Sequence, residues 1–338
     1  MVATHTLARE AVSPADAEMG DDGGVVVTWG DGHVSLYSAG ELPAVFGSNR
    51  VAARQPMPEG VGISRSGGSP AAGDIPLEQL VASGALEIDA GLGQEQYTEQ
   101  VLDNLAAYGL AFVTGVEPSA AATRALLEGI CFARATHYGD FWDFTADLEH
   151  GDTAYTNLAL RPHTDGTYFT DPPGAQILHC LEHDGSGGDS VMVDGFAALD
   201  ALAAARPDHF DLLSSTPLRW TYVDANDVYS AVAPAVTTDA AGALRQLRFN
   251  NDDRDGFPDG DASTVAAYYE AWTHLMGLVN DANAPWTATF KLLPGTVCFF
   301  DNWRTLHGRT AFTGKRRLAG AYYSAQDLAS RHARIKRA

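Results

Sequence analysis

Short stretches in which apolar and polar residues alternate recur through the second half of the chain and predict β-strands. Turn-forming glycine, proline and aspartate residues separate these stretches, a pattern typical of a sandwich or jelly roll. The predicted strands cover residues 174–181, 189–194, 218–224, 244–249, 286–293, 296–301 and 317–323. We therefore expect a β-rich core in this part of the chain.

Helical periodicity occurs before and within the β-rich region, so the expected fold class is α+β. The predicted segments are helices at 96–107, 195–214 and 263–280, a helix that begins at Ser119 and runs to about residue 134, and a strand at 109–115. The Ser119 hydroxyl can cap its helix. The helix at 263–280 is predicted to present one face made of Val265, Tyr269, Trp272, Met276 and Val279.

The first 82 residues differ in composition from the rest of the chain. Residues 1–23 are acidic and contain no apolar run, which predicts a flexible tail. Residues 25–38 predict two strands joined at a Gly-Asp-Gly turn, and residues 55–80, rich in Gly, Ser and Pro, predict a linker. We expect a small β-rich N-terminal domain with its linker over residues 24–82, and a main domain over residues 83–338.

Charge and cysteine content narrow the range of partners. A formal net charge of −21 over 338 residues disfavours nucleic acid and anionic membranes as partners, because both attract clusters of Lys and Arg. The three cysteines are widely spaced and form no C-x-x-C pair, so neither a disulfide framework nor a cysteine zinc site is expected. With no apolar run long enough to cross a membrane, a cytoplasmic location is expected.

Three residues are candidates for a metal site. His163 and Asp165 stand two apart in LRPHTDGTY, and His307 follows the apolar segment LLPGTVCFFD. Residues i and i+2 of an extended segment point the same way, so both can reach one ion. Two imidazoles and a carboxylate on one face of Fe(II) leave the other face open, as in non-haem iron oxygenases. The alternative is that His163 caps a turn and His307 is a surface residue.

Two further features favour the iron interpretation. Ser190 begins a predicted strand, and the pair Arg316-Arg317 follows His307 closely. A dicarboxylate cosubstrate needs a guanidinium fork for its distal carboxylate and a hydroxyl beside it. The alternative for the arginine pair is a solvated run of surface charge.

Longer segments carry a family resemblance. HTDGTYFTDPPGAQILHCLEHDGSGGDSVMVDGF and FFDNWRTLHGRTAFTGKRRLAGAYY resemble the γ-butyrobetaine and trimethyllysine hydroxylase family of Fe(II)- and 2-oxoglutarate-dependent dioxygenases. YGDFWDFTADLEHGDTAYTNLAL favours the trimethyllysine branch. The resemblance covers roughly residues 95–325. It implies a double-stranded β-helix (jelly-roll) core with flanking helices.

The resemblance also implies the roles of site residues. Fe(II) is expected on His163, Asp165 and His307, and 2-oxoglutarate on Arg316 with Ser190 nearby. Arg317 is the second choice for the arginine. O2 is then the oxidant, with ascorbate as an optional reductant.

The substrate residues follow from the same resemblance. Aromatic side chains at family cage positions are Tyr138, Trp142, Tyr155 and Tyr322. A quaternary ammonium has no N–H donors and binds to ring faces, although such aromatics are also common in cores. Asp152 matches an acidic position that pairs with an α-ammonium, and Asn250 matches one that binds a carboxylate; Asp152 could instead cap a turn.

The expected reaction is hydroxylation of an aliphatic C–H bond, at C3 if the substrate is N6,N6,N6-trimethyllysine, the first step toward carnitine. The alternatives are γ-butyrobetaine, another cationic amino acid of a natural-product pathway, and a quaternary-amine binding protein without turnover. Succinate and CO2 are the expected coproducts. The family also implies that a homodimer is an option.

Two departures from the family pattern stand out. Gly166 follows Asp165 where butyrobetaine hydroxylases carry a cage tyrosine. The N-terminal segment resembles a small zinc-binding domain but has no cysteine, and His33 lies there without partners. No structural zinc is therefore expected.

Overall fold

Three short strands near the start of the chain form an antiparallel sheet in the computed structural model, which describes residues 14–19, 25–29, 34–37, 75–145, 157–257 and 261–337. They are β1 (Pro14–Met19), β2 (Val25–Trp29) and β3 (Val34–Tyr37). The pairing of β2 with β3 confirms the predicted hairpin. Strand β1 pairs with β2 and lies within the segment 1–23 that the sequence predicts as a tail.

The remaining strands build two larger sheets and two hairpins. They are β4 (Glu87–Asp89), β5 (Leu110–Thr114), β6 (Trp142–Thr145), β7 (Leu160–His163), β8 (Ala175–His183), β9 (Ser190–Asp194), β10 (Pro217–Val223), β11 (Val228–Pro234), β12 (Val236–Thr238), β13 (Leu244–Leu247), β14 (Thr287–Phe290), β15 (Val297–Asp301), β16 (Thr305–Arg309) and β17 (Arg316–Tyr323). One sheet has the order β4-β5-β15-β8-β17-β6 and the other β14-β9-β16-β7. Strands β10 and β11 pair separately, as do β12 and β13.

Each of the seven strands predicted after residue 170 overlaps an observed strand. The alternation does not predict β7 or β16, because each contains a single large apolar residue, Leu160 in β7 and Leu306 in β16. These two strands carry the histidines of the candidate metal site. Local patterning therefore predicts most of the two sheets but not the strands that carry the two histidines.

The helices flank the sheets. They are α1 (Leu77–Ala82), α2 (Gln94–Tyr108), α3 (Ala120–Ile130), α4 (Gly195–Ala205), α5 (Pro207–Ser215), α6 (Ala262–Val279) and α7 (Ala325–Ile335). Ser119 caps α3 as predicted, by accepting from the Ala122 N–H. The predicted extension of this helix to residue 134 is wrong, because Cys131 adopts an extended conformation. The predicted helix 195–214 is two helices, since Pro207 begins a new one.

The buried face of α6 differs from the predicted one. Tyr269 is 40% exposed, whereas Tyr268, Ala271 and Leu275 are buried together with the correctly predicted Trp272 and Val279. Tyr268, Trp272 and Leu275 lie in the same apolar cluster as α4 and α5. Two adjacent tyrosines allow two choices of helix face from sequence, and packing against the neighbouring helices selects Tyr268.

Strand β15 lies in the interior of the six-stranded sheet, and both of its faces are buried. Val297 and Phe299 point to one face, where they join a cluster formed with helices α2 and α3. Cys298 and Phe300 point to the other face, where they pack with Met192 and other residues of the four-stranded sheet. The two sheets therefore pack face to face, with the helices outside.

The three cysteines are buried and free. Among the helices that the structure describes, none combines the length and the apolar character needed to cross a membrane. The cytoplasmic location stays a prediction.

Candidate active site

His163 and His307 face each other from paired strands of the four-stranded sheet. His163 ends β7 and lies opposite His307 of β16 in antiparallel register. Opposed residues of an antiparallel pair have side chains on the same face, and the two ring centroids are 4.3 Å apart. The fold thereby brings together two imidazoles from distant parts of the chain.

Asp165 lies in the loop after β7, where Asn302 holds its backbone. The Asn302 side-chain oxygen accepts from the Asp165 N–H at 2.8 Å, and its amide nitrogen donates to the Asp165 carbonyl at 3.0 Å. The preceding residue is also fixed: the Thr164 N–H donates to the Phe249 carbonyl at 2.8 Å. The Thr164 hydroxyl accepts from the Phe249 N–H at 2.9 Å. These bonds hold the backbone that carries the Asp165 carboxylate.

The three side chains form a convergent set of ligand atoms. Nε2 of His163 lies 3.2 Å from one oxygen of Asp165, and Nε2 of His307 lies 3.8 Å from the other. All three ligand atoms lie within 4.8 Å of one another. Nδ1 of His163 lies 2.9 Å from the Arg161 carbonyl, so a proton on Nδ1 leaves the Nε2 lone pair for a metal. Two nitrogens and one carboxylate fit Fe(II). This is the one such group of His, Cys, Asp and Glu in the described ranges.

The pKa of each of the three side chains is shifted by at least one of the others. Burial opposes the charged form of His163, but the hydrogen bond and charge of Asp165 outweigh it and raise the pKa of His163 to about 9. Burial, followed by the charge of His163, lowers the pKa of His307 to about 3. Burial acts to raise the pKa of Asp165, but the two histidines hold it well below its usual value. A proton between these groups occupies a position that suits a divalent ion.

The predicted cosubstrate residue Ser190 lies on the same sheet face as His307. Strand β9 pairs with β16 so that Met192 is opposite His307 and Ser190 is opposite Arg309. Residues two apart on a strand share a face, which places Ser190 and Arg309 about 7 Å along the sheet from His307. Both side chains are buried.

Arg316 begins β17 in the facing sheet, opposite His183 of β8. Its guanidinium carbon lies 5.9 Å from the ring centre of Phe312, and that of Arg309 lies 5.3 Å from the same ring. Two buried guanidinium groups therefore lie near the same phenyl ring. Burial lowers the pKa of Arg316, and within the described part of the chain no carboxylate pairs with it. An anionic ligand would satisfy this charge.

A third cation lies beside this region. The Lys291 Nζ is 3.3 Å from Nε2 of His183 and donates to the Gly187 carbonyl. A Cβ on Gly188 would lie 3.1 Å from the His183 ring and 3.5 Å from Cδ of Arg316. The loop before Ser190 therefore passes close to Arg316.

Arg317 has a different environment from its neighbour. It is exposed, and it makes two hydrogen bonds to Asp143 of β6, at 2.8 and 2.5 Å. These bonds raise the pKa of Arg317. Arg316 and Arg317 thus point to opposite faces of β17, with the first inside and the second outside.

Two of the predicted cage residues meet beside the metal ligands. Trp142 of β6 and Tyr322 of β17 have ring centroids 4.5 Å apart at an interplanar angle of 60°. The Tyr322 hydroxyl donates to the Asp165 carboxylate at 2.5 Å. An aromatic surface therefore lies directly against a candidate metal ligand.

Tyr138 belongs to a second aromatic group, which also contains His137, Tyr168, Tyr222 and Tyr229. The His137 ring centroid is 3.9 Å from that of Tyr138 and 4.7 Å from that of Tyr222. Tyr138 also donates a hydrogen bond to Tyr168. The charge of Asp165 acts on Tyr168, so this group lies within electrostatic range of the metal ligands.

The remaining substrate candidates have different outcomes. Asp152 and Tyr155 lie outside the described residues. Asn250 is half-buried, and its side-chain oxygen accepts from the Asp252 N–H at 2.9 Å. It directly follows Phe249, the partner of Thr164, which places it next to the metal-ligand loop.

Gly166 occupies a backbone conformation that explains its departure from the family pattern. Its φ is +67°, and a Cβ there would lie 2.8 Å from Cδ of Pro173 and 2.9 Å from the Phe169 ring. A tyrosine at this position has no room without movement of Pro173 and Phe169.

The structure adds residues that the sequence interpretation missed. Asn302, Arg309, Lys291, Tyr168 and Asp253 each contact or face the candidate site. Two of these residues carry a signal in the sequence: Asn302 directly follows an apolar strand, and Tyr168 lies three residues after Asp165. For the other three residues the contacts come from distant strands and loops.

Known proteins resemble this chain over most of its length. The family model "Taurine catabolism dioxygenase TauD, TfdA family" matches residues 74–322. The mitochondrial trimethyllysine dioxygenase of Gallus gallus is 37% identical over 91% of this chain and 72% of its own length. The γ-butyrobetaine dioxygenase of Pseudomonas sp. strain AK-1 is 32% identical over 93% of this chain and 79% of its own.

Solved structures agree in fold. A taurine dioxygenase from Burkholderia xenovorans superposes with a TM-score of 0.54 at 16% identity, covering 71% of this chain and 88% of that one. The mixed α/β content and the arrangement of sheets are thus those of a TauD-like fold. This chain belongs to the TauD, TfdA dioxygenase family and is an Fe(II)- and 2-oxoglutarate-dependent dioxygenase.

Proposed function

We propose that this enzyme hydroxylates C3 of N6,N6,N6-trimethyllysine. One observation carries the proposal: Tyr322 packs against the Trp142 ring and hydrogen-bonds to the metal ligand Asp165. An aromatic surface that suits a quaternary ammonium therefore lies beside the oxidising centre. The relatives named trimethyllysine dioxygenase, among them the Gallus gallus enzyme, support the same substrate.

Fe(II) held by His163, Asp165 and His307 supplies the oxidising chemistry: 2-oxoglutarate and O2 become succinate and CO2 while one oxygen atom enters the C–H bond. The protein determines which C–H bond that is. Asn302 and Thr164 fix the loop that carries Asp165, so the ligand set stays in place while the substrate binds.

Arg316 and Ser190 hold the distal carboxylate of 2-oxoglutarate. Arg316 is buried and has no carboxylate partner in the described ranges, and Ser190 lies on the sheet face of His307. A guanidinium fork with a hydroxyl beside it suits a carboxylate. Arg317 does not take this role, because it is exposed and paired with Asp143.

The substrate is held at two ends. Trp142 and Tyr322, with Tyr138 and Tyr155, surround the trimethylammonium group, and Asp152 and Asn250 bind the amino-acid end. Holding both ends selects the carbon that faces the oxidant. Of these residues, Asp152 and Tyr155 lie outside the described part of the chain.

We also propose that the six- and four-stranded sheets form a double-stranded β-helix, since they pack face to face through Phe300, Cys298 and Met192. The division at residues 23 and 82, the zinc-free N-terminal domain, the homodimer and the cytoplasmic location stay predictions.

γ-Butyrobetaine is the second candidate substrate. The Pseudomonas γ-butyrobetaine dioxygenase is 32% identical over 93% of this chain. The two substrates share the trimethylammonium group but differ at the other end, because γ-butyrobetaine has no primary amine. Asp152, a carboxylate rather than an amide, favours the substrate that carries an amine.

The test measures succinate from 2-oxoglutarate with Fe(II), using trimethyllysine, γ-butyrobetaine, other cationic amino acids and unmethylated lysine. We expect the greatest stimulation by trimethyllysine, with a product heavier by one oxygen atom in mass spectrometry. An Asp165→Ala variant provides the background. If only γ-butyrobetaine stimulates succinate formation, it replaces trimethyllysine as the assigned substrate. If neither quaternary amine does so, both candidates are refuted.

A further inference from the structure

Asp253 is a buried carboxylate beside the active site that the proposed function has not used. Its side chain is 9% exposed, and one of its oxygens accepts from the Thr167 hydroxyl at 2.6 Å. In the described part of the chain this is the only donor to the carboxylate. A buried carboxylate normally has several donors or a cationic partner.

The nearest cations on the same segment are engaged elsewhere. The Arg248 guanidinium donates to the carbonyls of Thr167, Phe169 and Thr170. Arg254 lies over the ring of Tyr269, 5.0 Å from its centre, and of Trp272 at 5.3 Å. Neither forms an ion pair with Asp253.

Asp253 also lies close to the chemistry. Its hydrogen-bond donor Thr167 is two residues after the metal ligand Asp165, and its charge acts on His163. Tyr168 lies within electrostatic range of both Asp253 and Asp165. Asn250, proposed to bind the substrate carboxylate, belongs to the same turn. The turn from Asn250 to Asp253 thus presents an amide and a carboxylate beside the metal site.

We infer that Asp253 joins Asp152 in binding the primary α-ammonium of the amino-acid substrate, while Asn250 binds its carboxylate. The inference rests on the proposed function. A primary ammonium supplies the N–H donors that the carboxylate lacks and neutralises it in a buried setting. A trimethylammonium group has no N–H and suits the ring faces of Trp142 and Tyr322 instead. Asp253 is therefore a specificity-determining residue at the amino-acid end.

Burial, and then the negative charge of Asp165, raise the pKa of Asp253 to about 7 in the substrate-free protein, against the hydrogen bond from Thr167. A raised pKa is expected of a buried carboxylate without a counter-ion. A bound ammonium would lower the pKa of Asp253.

The test compares two substrates that differ only in the amine: trimethyllysine and 6-(trimethylammonio)hexanoate with the same carbon chain. Asp253→Asn keeps the shape and the Thr167 bond but removes the charge. We expect its KM for trimethyllysine to rise tenfold or more, with a change below twofold for the desamino compound. Asp252→Asn, at the exposed neighbouring position, is the matched control and leaves both values unchanged.

Two further variants make the result decisive. Asp253→Ser removes the same charge with different packing, and Asp152→Asn tests the other acidic candidate in the same assay. Equal effects of Asp253→Asn on both substrates, or discrimination lost only in Asp152→Asn, would overturn the inference. So would failure of both Asp253 variants to fold, which would make the residue structural. If the wild-type enzyme oxidises no trimethylated substrate, the proposed function itself fails.

Discussion

The Tyr322 hydroxyl donates to the Asp165 carboxylate at 2.5 Å, while the ring of the same tyrosine packs against Trp142 with centroids 4.5 Å apart. One side chain therefore contacts both a proposed metal ligand and the proposed binding surface for the quaternary ammonium. Since Asp165 is also held through its backbone by Asn302, the hydroxyl controls mainly the rotation of the carboxylate.

Removing this hydroxyl should weaken metal binding. Tyr322→Phe keeps the ring against Trp142 and deletes only the donor, and loss of such a supporting bond to a metal ligand typically costs about 10–100-fold in affinity. We expect the dissociation constant of Co(II), titrated into the metal-free protein, to rise at least about tenfold.

The adjacent Tyr323 provides the control for this measurement. Its hydroxyl donates to the Leu127 carbonyl at 2.7 Å, in the helix-side core rather than at the metal site. Tyr323→Phe should lower the free energy of unfolding by about 1 kcal/mol and leave Co(II) affinity unchanged. An unchanged Co(II) affinity in Tyr322→Phe would show that Asn302 alone orients Asp165.

Arg316 and Arg317 are expected to have different roles: Arg316 binds 2-oxoglutarate, and Arg317 forms a surface ion pair. Arg316→Ala removes a buried guanidinium without a carboxylate partner in the described ranges, so the 2-oxoglutarate concentration for half-maximal succinate formation should rise about 100-fold, as expected for a buried charged pair. Arg317→Ala breaks only the exposed pair with Asp143 and should change it less than about twofold. A larger effect from Arg317→Ala would exchange the two assignments.

Local patterns in the sequence were sufficient to predict the three side chains that the fold brings together as a candidate metal site. His163 and Asp165 are separated by one residue, and His307 follows a strongly apolar strand, so both features are visible within short windows. The structure adds what only the tertiary fold determines. Asn302 hydrogen-bonds to Asp165 although the two residues are far apart in sequence. Arg309 lies opposite Ser190 because β9 and β16 are neighbouring strands.

The aromatic residues show the same limit. Tyr138 and Trp142 are four residues apart in sequence, yet Trp142 packs on Tyr322 and Tyr138 joins Tyr168 and His137. Comparison with family positions predicts that these aromatic residues lie near the site. Their grouping depends on where β6 pairs with β17, which no local pattern specifies.

The loop that carries Asp165 should be sensitive to substitution at Gly166. Gly166→Ala meets both a φ of +67° and close contacts with Pro173 and Phe169. We expect a loss of about 2–4 kcal/mol in the free energy of unfolding, measured in urea, with weaker Co(II) binding.

Gly242→Ala is a control that measures the cost of the backbone conformation alone. The φ of Gly242 is +82°, but a Cβ there meets nothing within 4 Å. Gly242→Ala should therefore cost about 1 kcal/mol and leave metal binding intact. Equal losses in the two variants would mean that Pro173 and Phe169 move aside without cost.

The raised pKa of Asp253 predicts a particular pH dependence of stability. In the substrate-free protein this pKa is about 7, whereas the unfolded carboxyl has the ordinary value of 3.8. Between these values the folded state holds a proton that the unfolded state has released. Stability from this group is therefore complete below pH 3.8 and is lost as pH rises to about 7.

Asp253→Asn removes this contribution, because the amide does not titrate. Relative to the variant, the metal-free wild-type protein should lose stability between pH 5 and 7, by up to about 1.4 kcal/mol per pH unit, and the difference should be constant above pH 8. The measurement is urea unfolding of both proteins across this range, with Asp252→Asn expected to follow the wild type. Parallel profiles for wild type and Asp253→Asn would mean that the pKa of Asp253 is not raised in the folded protein.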